Sequence, residues 1–227
     1  MALDALIFDF DGLILDTEWS DFVSVGEVFA AHGVDLPLDE WRDGVGTIAE
    51  RHWTEWLEDL LGRSIDRDAV RAARIERHHA LIAQEPVLPG VVELLDQARA
   101  AGIGLAVASS SSAPWVEPHL ERLGLLDRFE IVMTRDQVAA VKPAPDLYLA
   151  ATAALRADPA RSVALEDSAH GCSAAVAAGL RCVAVPNRIT AAQDFGHADR
   201  VVASLAGVGL ADLEALVDGP VGTRRAR

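Results

Sequence analysis

Apolar and polar positions follow two rhythms along this chain. Ala5, Leu6, Ile7, Phe8 and Phe10 make a near-continuous apolar run that reads as a strand buried on both faces. The run contains an aspartate at 9 and meets a second at 11. Over residues 17–87 the spacing becomes helical. SVGEVFAAHG predicts a helix ending at Gly33, and DAVRAARIERHHALIA predicts another. In TIAERHWTEWLEDLLG, Ile48, Trp53, Trp56, Leu57, Leu60 and Leu61 recur at intervals of three and four. No strand pattern interrupts this stretch, which also holds Trp19, Trp41, Trp53 and Trp56.

From residue 88 helices and short apolar strands alternate. LPGVVELLDQARAAG is a helix opened by Pro and Gly and closed at Gly102, and IGLAVASSSS is a buried strand running into hydroxyls. A helix near 115–123, the strand FEIVM, a helix after KPAPD and the strand SVALEDS follow. A small-residue helix, the strand RCVAVPN, a weaker strand at DRVVAS and the helix LADLEALV complete the pattern, and the tail GTRRAR has no apolar partner. Alternation of this kind requires crossover connections and a mostly parallel sheet covered on both faces. The expected fold is α/β: a Rossmann-like, doubly wound parallel-sheet core formed by residues 1–16 and 88–227. An all-helical cap, residues 17–87, is inserted into it. Such sheets bind ligands beyond the carboxyl ends of their strands. The polar residues at those ends are Asp9, Asp11, Ser109, Glu166 and Asp167, with Lys142 in a loop that enters a helix.

Charge and composition narrow the partners. The net charge of −15 repels phosphate backbones, so a nucleic-acid partner is not expected. No 18-residue apolar run is present, so no membrane span is expected, and the short first apolar stretch lacks the basic flank of a secretory leader. Cys172 and Cys182 lie among small and apolar residues, as buried thiols in a reducing cytoplasm do. Of 20 basic residues only Lys142 is lysine, which sets that position apart.

Several carboxylates in one crevice raise one another's pKa and destabilise the fold, and a divalent cation relieves them. Hard oxygen ligands with room left for water and phosphate suit Mg²⁺, and Asp9 and Asp167 are the first choices to hold it. A cation and a lysine at one point stabilise a transferring phosphoryl group. No Cys or His stands at a strand end, so Asp9 is the candidate nucleophile. Asp11, two residues on and on the same face, is the candidate acid and base once Gly12 lets the chain turn.

The segment DFDGLILD, followed in order by AVASSSS, VKPAPD and LEDS, resembles the four motifs of the haloacid dehalogenase superfamily, in its β-phosphoglucomutase and phosphoglycolate-phosphatase branch. The resemblance spans essentially the whole chain. It implies that Asp9 is nucleophile and Mg²⁺ ligand, and that Asp11 is acid/base and gives the metal its backbone carbonyl. Ser109, with Ser110 close behind, would bind phosphate, Lys142 would bridge nucleophile and phosphate, and Glu166 and Asp167 would be the acidic pair at the metal. Asp16 and Thr17 would begin a hinge into the cap.

The same resemblance helps to choose a reaction. Residues 17–87 contain no lysine for a Schiff base, which disfavours phosphonate hydrolysis, and the presence of Asp11 disfavours dehalogenation. Where the mutases carry a hinge-helix histidine, this chain has Asp21, and Gly46–Thr47 stands near the place of a mutase arginine. The expectation is a Mg²⁺-dependent phosphatase, monomeric and cytoplasmic, acting on a small phosphorylated metabolite through an aspartyl-phosphate. The alternatives are a β-phosphoglucomutase-like mutase and a non-catalytic phospholigand-binding protein. His52, His78 and His79 are expected on solvated helix faces, with His170 near substrate as a lesser possibility, and the cap tryptophans are expected in a core.

Overall fold

The computed structural model describes residues 3–47 and 51–219. Ile48 and the tail GTRRAR lie outside those residues. The core is one sheet of β1 (Ala5–Phe8), β2 (Gly104–Ala108), β3 (Ile131–Met133), β4 (Ser162–Glu166), β5 (Arg181–Ala184) and β6 (Arg200–Val201). Every pairing is parallel, in the order β3-β2-β1-β4-β5-β6. The chain builds outward from β1 to β3, then returns to the other side of β1 for β4. The switch point therefore falls between β1 and β4, where Phe8 stands opposite Leu165.

Alternation along the strands gives the two faces different characters. Leu6, Phe8, Leu105, Val107, Val163, Leu165 and Val183 form a large-residue face. It is covered by α5 (Val91–Ala100), α6 (Ala113–Arg122) and α9 (Leu210–Asp218). The opposite face carries Ile7, Ala106, Ala108, Ala164, Cys182 and Ala184 beneath α7 (Asp146–Leu155) and α8 (Ala169–Ala177). Small side chains on both partners bring α8 close to the sheet, which explains a helix written almost entirely in Ala, Gly, Ser and Cys. Both cysteines are buried and free, as expected.

Between β1 and α5 the named elements among the described residues are all helices: α1 (Thr17–Ala31), α2 (Leu38–Asp43), α3 (Trp53–Leu61) and α4 (Arg67–Ile82). Val25, Phe29, Trp53 and Leu57 build an apolar cluster separate from those on the sheet. Arg77 bridges α4 to Glu27 of α1 with two hydrogen bonds of 2.8 Å. The two connections to the sheet run together, for Leu15 and Val87 form an antiparallel bridge and Leu88 N–H donates to Ile14 O at 2.9 Å.

Two expectations need correction. Trp53–Leu61 is helical, but His52 caps its start with its ring nitrogen 3.3 Å from Thr54 N, so the helix does not extend back to Thr47. The sequence reading also passed over α2, which begins straight after Pro37 with Asp39 and Glu40 in its first turn. No helix among the described residues is long and apolar enough to cross a membrane.

Candidate active site

Four loops at the carboxyl ends of β1, β2 and β4 and before α7 bring the expected residues together. Asp9 N–H donates to Leu165 O at 2.9 Å, which continues the β1–β4 ladder and fixes the Asp9 carboxyl beside the end of β4. Lys142, 1% exposed, reaches in from the loop before α7. Its ammonium bonds Asp9 Oδ1 and lies 2.7 Å from Glu166 Oε1, with the Tyr148 ring centroid 5.2 Å away.

Glu166 is fully occupied. Tyr148 O–H donates to Oε1 at 2.5 Å, while Asp167 N–H and Ser168 O–H donate to Oε2 at 3.2 and 3.3 Å. Gly171 permits this, because a Cβ there would strike the Glu166 carboxyl. Asp167 differs, since its Oδ2 accepts from Asn187 Nδ2 at 2.7 Å. Gly12, at φ +78°, turns the chain after Asp11 with no side chain to collide with Asp167 and Asn187.

One oxygen each from Asp9, Glu166 and Asp167 lies within 4.8 Å of the others. Burial pushes Asp9 up to about 8; Lys142 opposes the rise, and Glu166 and Asp11 add to it. Burial, then Asp9, Glu18 and Glu166, carry Asp167 well above the usual carboxylate range. Burial pulls Lys142 down, but the Asp9 and Glu166 carboxylates outweigh it and hold the ammonium above its ordinary value. This donor set is hard, anionic and short of positive charge, and it fits a divalent cation such as Mg²⁺.

Asp11 belongs to the site but not to this acidic group. Its Oδ2 accepts from Ser109 Oγ at 3.2 Å and Ser111 Oγ at 2.7 Å, and its Oδ1 accepts from the Trp115 indole N–H at 2.8 Å. The side chains of Asp9 and Asp11 therefore diverge, although the sequence spacing put them on one face. Ser110 instead bonds Gly46 O of the helical insertion at 3.4 Å.

A cavity of about 520 Å³ opens over the cluster, between the insertion and the sheet. Asp9, Asp11, Ser110 and Ser111 form its floor, with Trp41, Trp53 and Trp56 on the opposite side. Trp53 is also in the insertion's apolar cluster, with Trp41 and Trp56 packed against it, so these side chains serve core and cavity together. His78 is not solvated as expected: it is 6% exposed and stacks on Trp115 of α6 at 5.2 Å. Burial, then Arg74, pulls it down to about 3, so it is neutral at physiological pH. His170 turns to Val45 O, 3.1 Å from its Nδ1, and is not among the cavity-lining residues.

Trp115, Ser111, Asn187, Tyr148 and Glu18 were not anticipated as site residues. Glu18 lines the cavity and is pushed up to about 8 by burial, then by Asp11, Asp9 and Asp16. It follows Thr17 at the start of α1, a position that the hinge reading had already brought to the site.

A family model described as haloacid dehalogenase-like hydrolase matches residues 3–179. The chain is 42% identical over 209 residues to YhcW of Bacillus subtilis, named as a phosphatase, covering 92% of this chain and 95% of that one. It is 33% identical over 184 residues to hexitol phosphatase B of Escherichia coli, covering 80% and 83%. Among solved structures, CbbY from Rhodobacter sphaeroides, determined with phosphate and as a mutant with xylulose-(1,5)bisphosphate, superposes with a TM-score of 0.73. That match has 35% identity and covers 93% of this chain and 99% of CbbY.

Proposed function

The chain belongs to the haloacid dehalogenase-like hydrolases, and on that premise we propose that it is a Mg²⁺-dependent phosphatase working through an aspartyl-phosphate on Asp9. Its relatives are named phosphatases, which supports hydrolysis of a small phosphorylated metabolite as the coarse activity. The observation that carries the finer reading is the buried Asp9–Lys142–Glu166 array beside Asp167.

In this reading Asp9 attacks phosphorus as the bond to the leaving-group oxygen breaks, and Asp11 gives that oxygen its proton. Asp11 then takes a proton from water, which attacks the phosphoryl group, releases inorganic phosphate and frees Asp9. Lys142 lies between Asp9 and the incoming phosphate, with Glu166 and Tyr148 holding its ammonium in place. Ser109 and Ser110 donate to phosphate oxygens, so Asp11 leaves the Ser109 hydroxyl as substrate arrives. Asp9 and Asp167, with the Asp11 carbonyl, would hold Mg²⁺, and Glu166 stands behind them through Lys142. The ion supplies charge neutralisation for the phosphoryl oxygens.

Residues 17–87 act as a cap over residues 1–16 and 88–227, excluding water and choosing the leaving group. Asp21 in place of a mutase histidine favours a phosphatase over a phosphosugar mutase. Turnover of p-nitrophenyl phosphate with Mg²⁺, lost in a folded Asp9→Asn protein, tests the mechanism. An amide is a poor nucleophile and a weak metal ligand, so more than a few per cent of residual activity would refute it.

A further inference from the structure

The loop 187–193, which follows β5, meets the acidic cluster at its first residue and the helical insertion further on. Asn187 Nδ2 donates to Asp167 Oδ2 at 2.7 Å. The amide cannot be turned round without loss, because its Oδ1 accepts from Ile189 N at 2.8 Å and Thr190 N at 3.1 Å. Thr190 Oγ1 accepts in return from Asn187 N at 3.0 Å. Ile189 and Thr190 are buried, and a short 3-10 helix, Thr190–Ala192, completes the turn. A side chain held at both ends in this way moves only as its loop moves.

The far side of the loop grips α2. Arg42 Nε donates to Ile189 O at 2.9 Å, while Arg42 Nη1 is braced on Asp39 at 2.8 Å. Gln193 Nε2 donates to Arg42 O at 2.8 Å, and Gln193 Oε1 accepts at 2.8 Å from Ala169 N, close after Asp167. Arg188 reaches the insertion as well, with its guanidinium 3.0 Å from Asp16 Oδ2 and 4.3 Å from the Trp19 ring centroid. The bonds to Arg42 exist only while α2 lies against the core, whereas the Asn187–Asp167 bond lies wholly within the core. A neutral amide aims the Asp167 carboxylate without cancelling its charge. A lysine or arginine in that place would compete with a metal ion.

We propose that Asn187 is a positioning residue for Asp167, and that the loop 187–193 couples Mg²⁺ affinity to the seating of the cap through Arg42 and Gln193. The proposal rests on the Mg²⁺-dependent phosphatase reading and adds a linkage to it. A seated cap aims Asp167 for the ion, and by reciprocity the ion favours the seated cap.

The test is calorimetric titration of Mg²⁺ into the metal-free, full-length protein without substrate. Asn187→Ala should weaken binding about 10–100-fold, as loss of a partner that orients a metal ligand does. Arg42→Ala and Gln193→Ala, which touch no metal ligand, should each weaken it about fivefold or more. In the Asn187→Ala background Arg42→Ala should add little, because the path it acts through is already cut. Mg²⁺ should also slow amide hydrogen exchange in α2 of the wild type, and not in Asn187→Ala. Unchanged affinity in Arg42→Ala and Gln193→Ala, or losses that simply add in the double variant, overturns the coupling; unchanged affinity in Asn187→Ala overturns the positioning role. If Asn187→Ala fails to fold, the two single variants and wild-type exchange decide. A wild type that takes up no Mg²⁺ strikes the metal reading and this proposal with it, whereas uptake with unaltered variants strikes the proposal alone.

Discussion

Replacing Lys142 by methionine removes the one ammonium facing Asp9 and Glu166 while keeping an unbranched chain in the same buried slot. Breaking a buried ion pair by deleting one partner costs about 3–5 kcal/mol. Against a typical total of about 5–15 kcal/mol, that is a large share. For a chain of this size each kcal/mol moves Tm by about 2–4 °C, so the metal-free variant should melt about 6–20 °C below wild type at pH 8. The loss should depend on pH in a definite direction. Asp9 is raised from 3.8 to about 8 in the folded state, so between those values the native protein holds a proton that the unfolded chain has released. More protons bound in the native state mean that metal-free stability falls as pH rises through this window. Lys142 opposes the rise of Asp9, so its removal carries the fall on to pH values above 8. Thermal melts in EDTA at pH 5 and pH 8 read both effects. A variant as stable as wild type at pH 8, or a metal-free wild type whose stability does not fall between pH 5 and pH 8, would refute the charge argument.

Other perturbations probe other parts of the site. Lys142→Arg should fold and take up Mg²⁺ yet turn over about 10²–10³ more slowly, because a broad planar fork cannot fill the point held between Asp9, Glu166 and Tyr148; near-wild-type kcat would contradict this. Gly171→Ala should cost about 1–3 kcal/mol in denaturant titration and depress kcat, since the new methyl displaces the Glu166 carboxyl. Trp115→Phe keeps a ring beside His78 but loses the N–H to Asp11, and kcat should drop about tenfold, with an altered pH–rate profile and little change in KM, in line with a hydrogen bond worth about 0.5–1.5 kcal/mol. Crystal structures with and without a phosphate analogue should differ by a rigid-body shift of residues 17–87 about the paired connections at Leu15 and Val87; identical positions, shut in both, would count against gating.

The make-up of the cluster was legible because it is written in residue types that rarely sit at the ends of buried strands. Asp9, Lys142, Glu166 and Asp167 announce themselves by charge against an apolar background, and the structure gathers all four. The supporting residues were not legible, for each is ordinary in sequence. Tyr148 sits in a largely apolar helix, Asn187 in a loop, and Trp115 after a proline at a helix start, and only the packing of separate elements turns them toward a carboxylate. The divergence of Asp9 and Asp11 was hidden for a similar reason. Strand geometry ends at Phe8, and the Gly12 turn frees Asp11 to follow the serines after β2. His78 misled because a helix of Arg, Glu and His looks solvated until one of its turns meets Trp115.

The central place of β1 also governs how the protein is made. Ala5 pairs with Gly104 on one side and Ser162 on the other, so β1 has partners 99 and 157 residues downstream. Closing such loops must precede the contacts that reward it, and folding of sheets built this way is correspondingly slow. Until β4 emerges, β1 has only one neighbour to pair with, and the nascent chain is exposed to association through its unpaired edge. The helices between, with their own apolar cluster, can collapse locally during that interval. Asp9 cannot acquire its setting before residue 166 has been synthesised, so the acidic cluster forms only once β4 has joined the sheet.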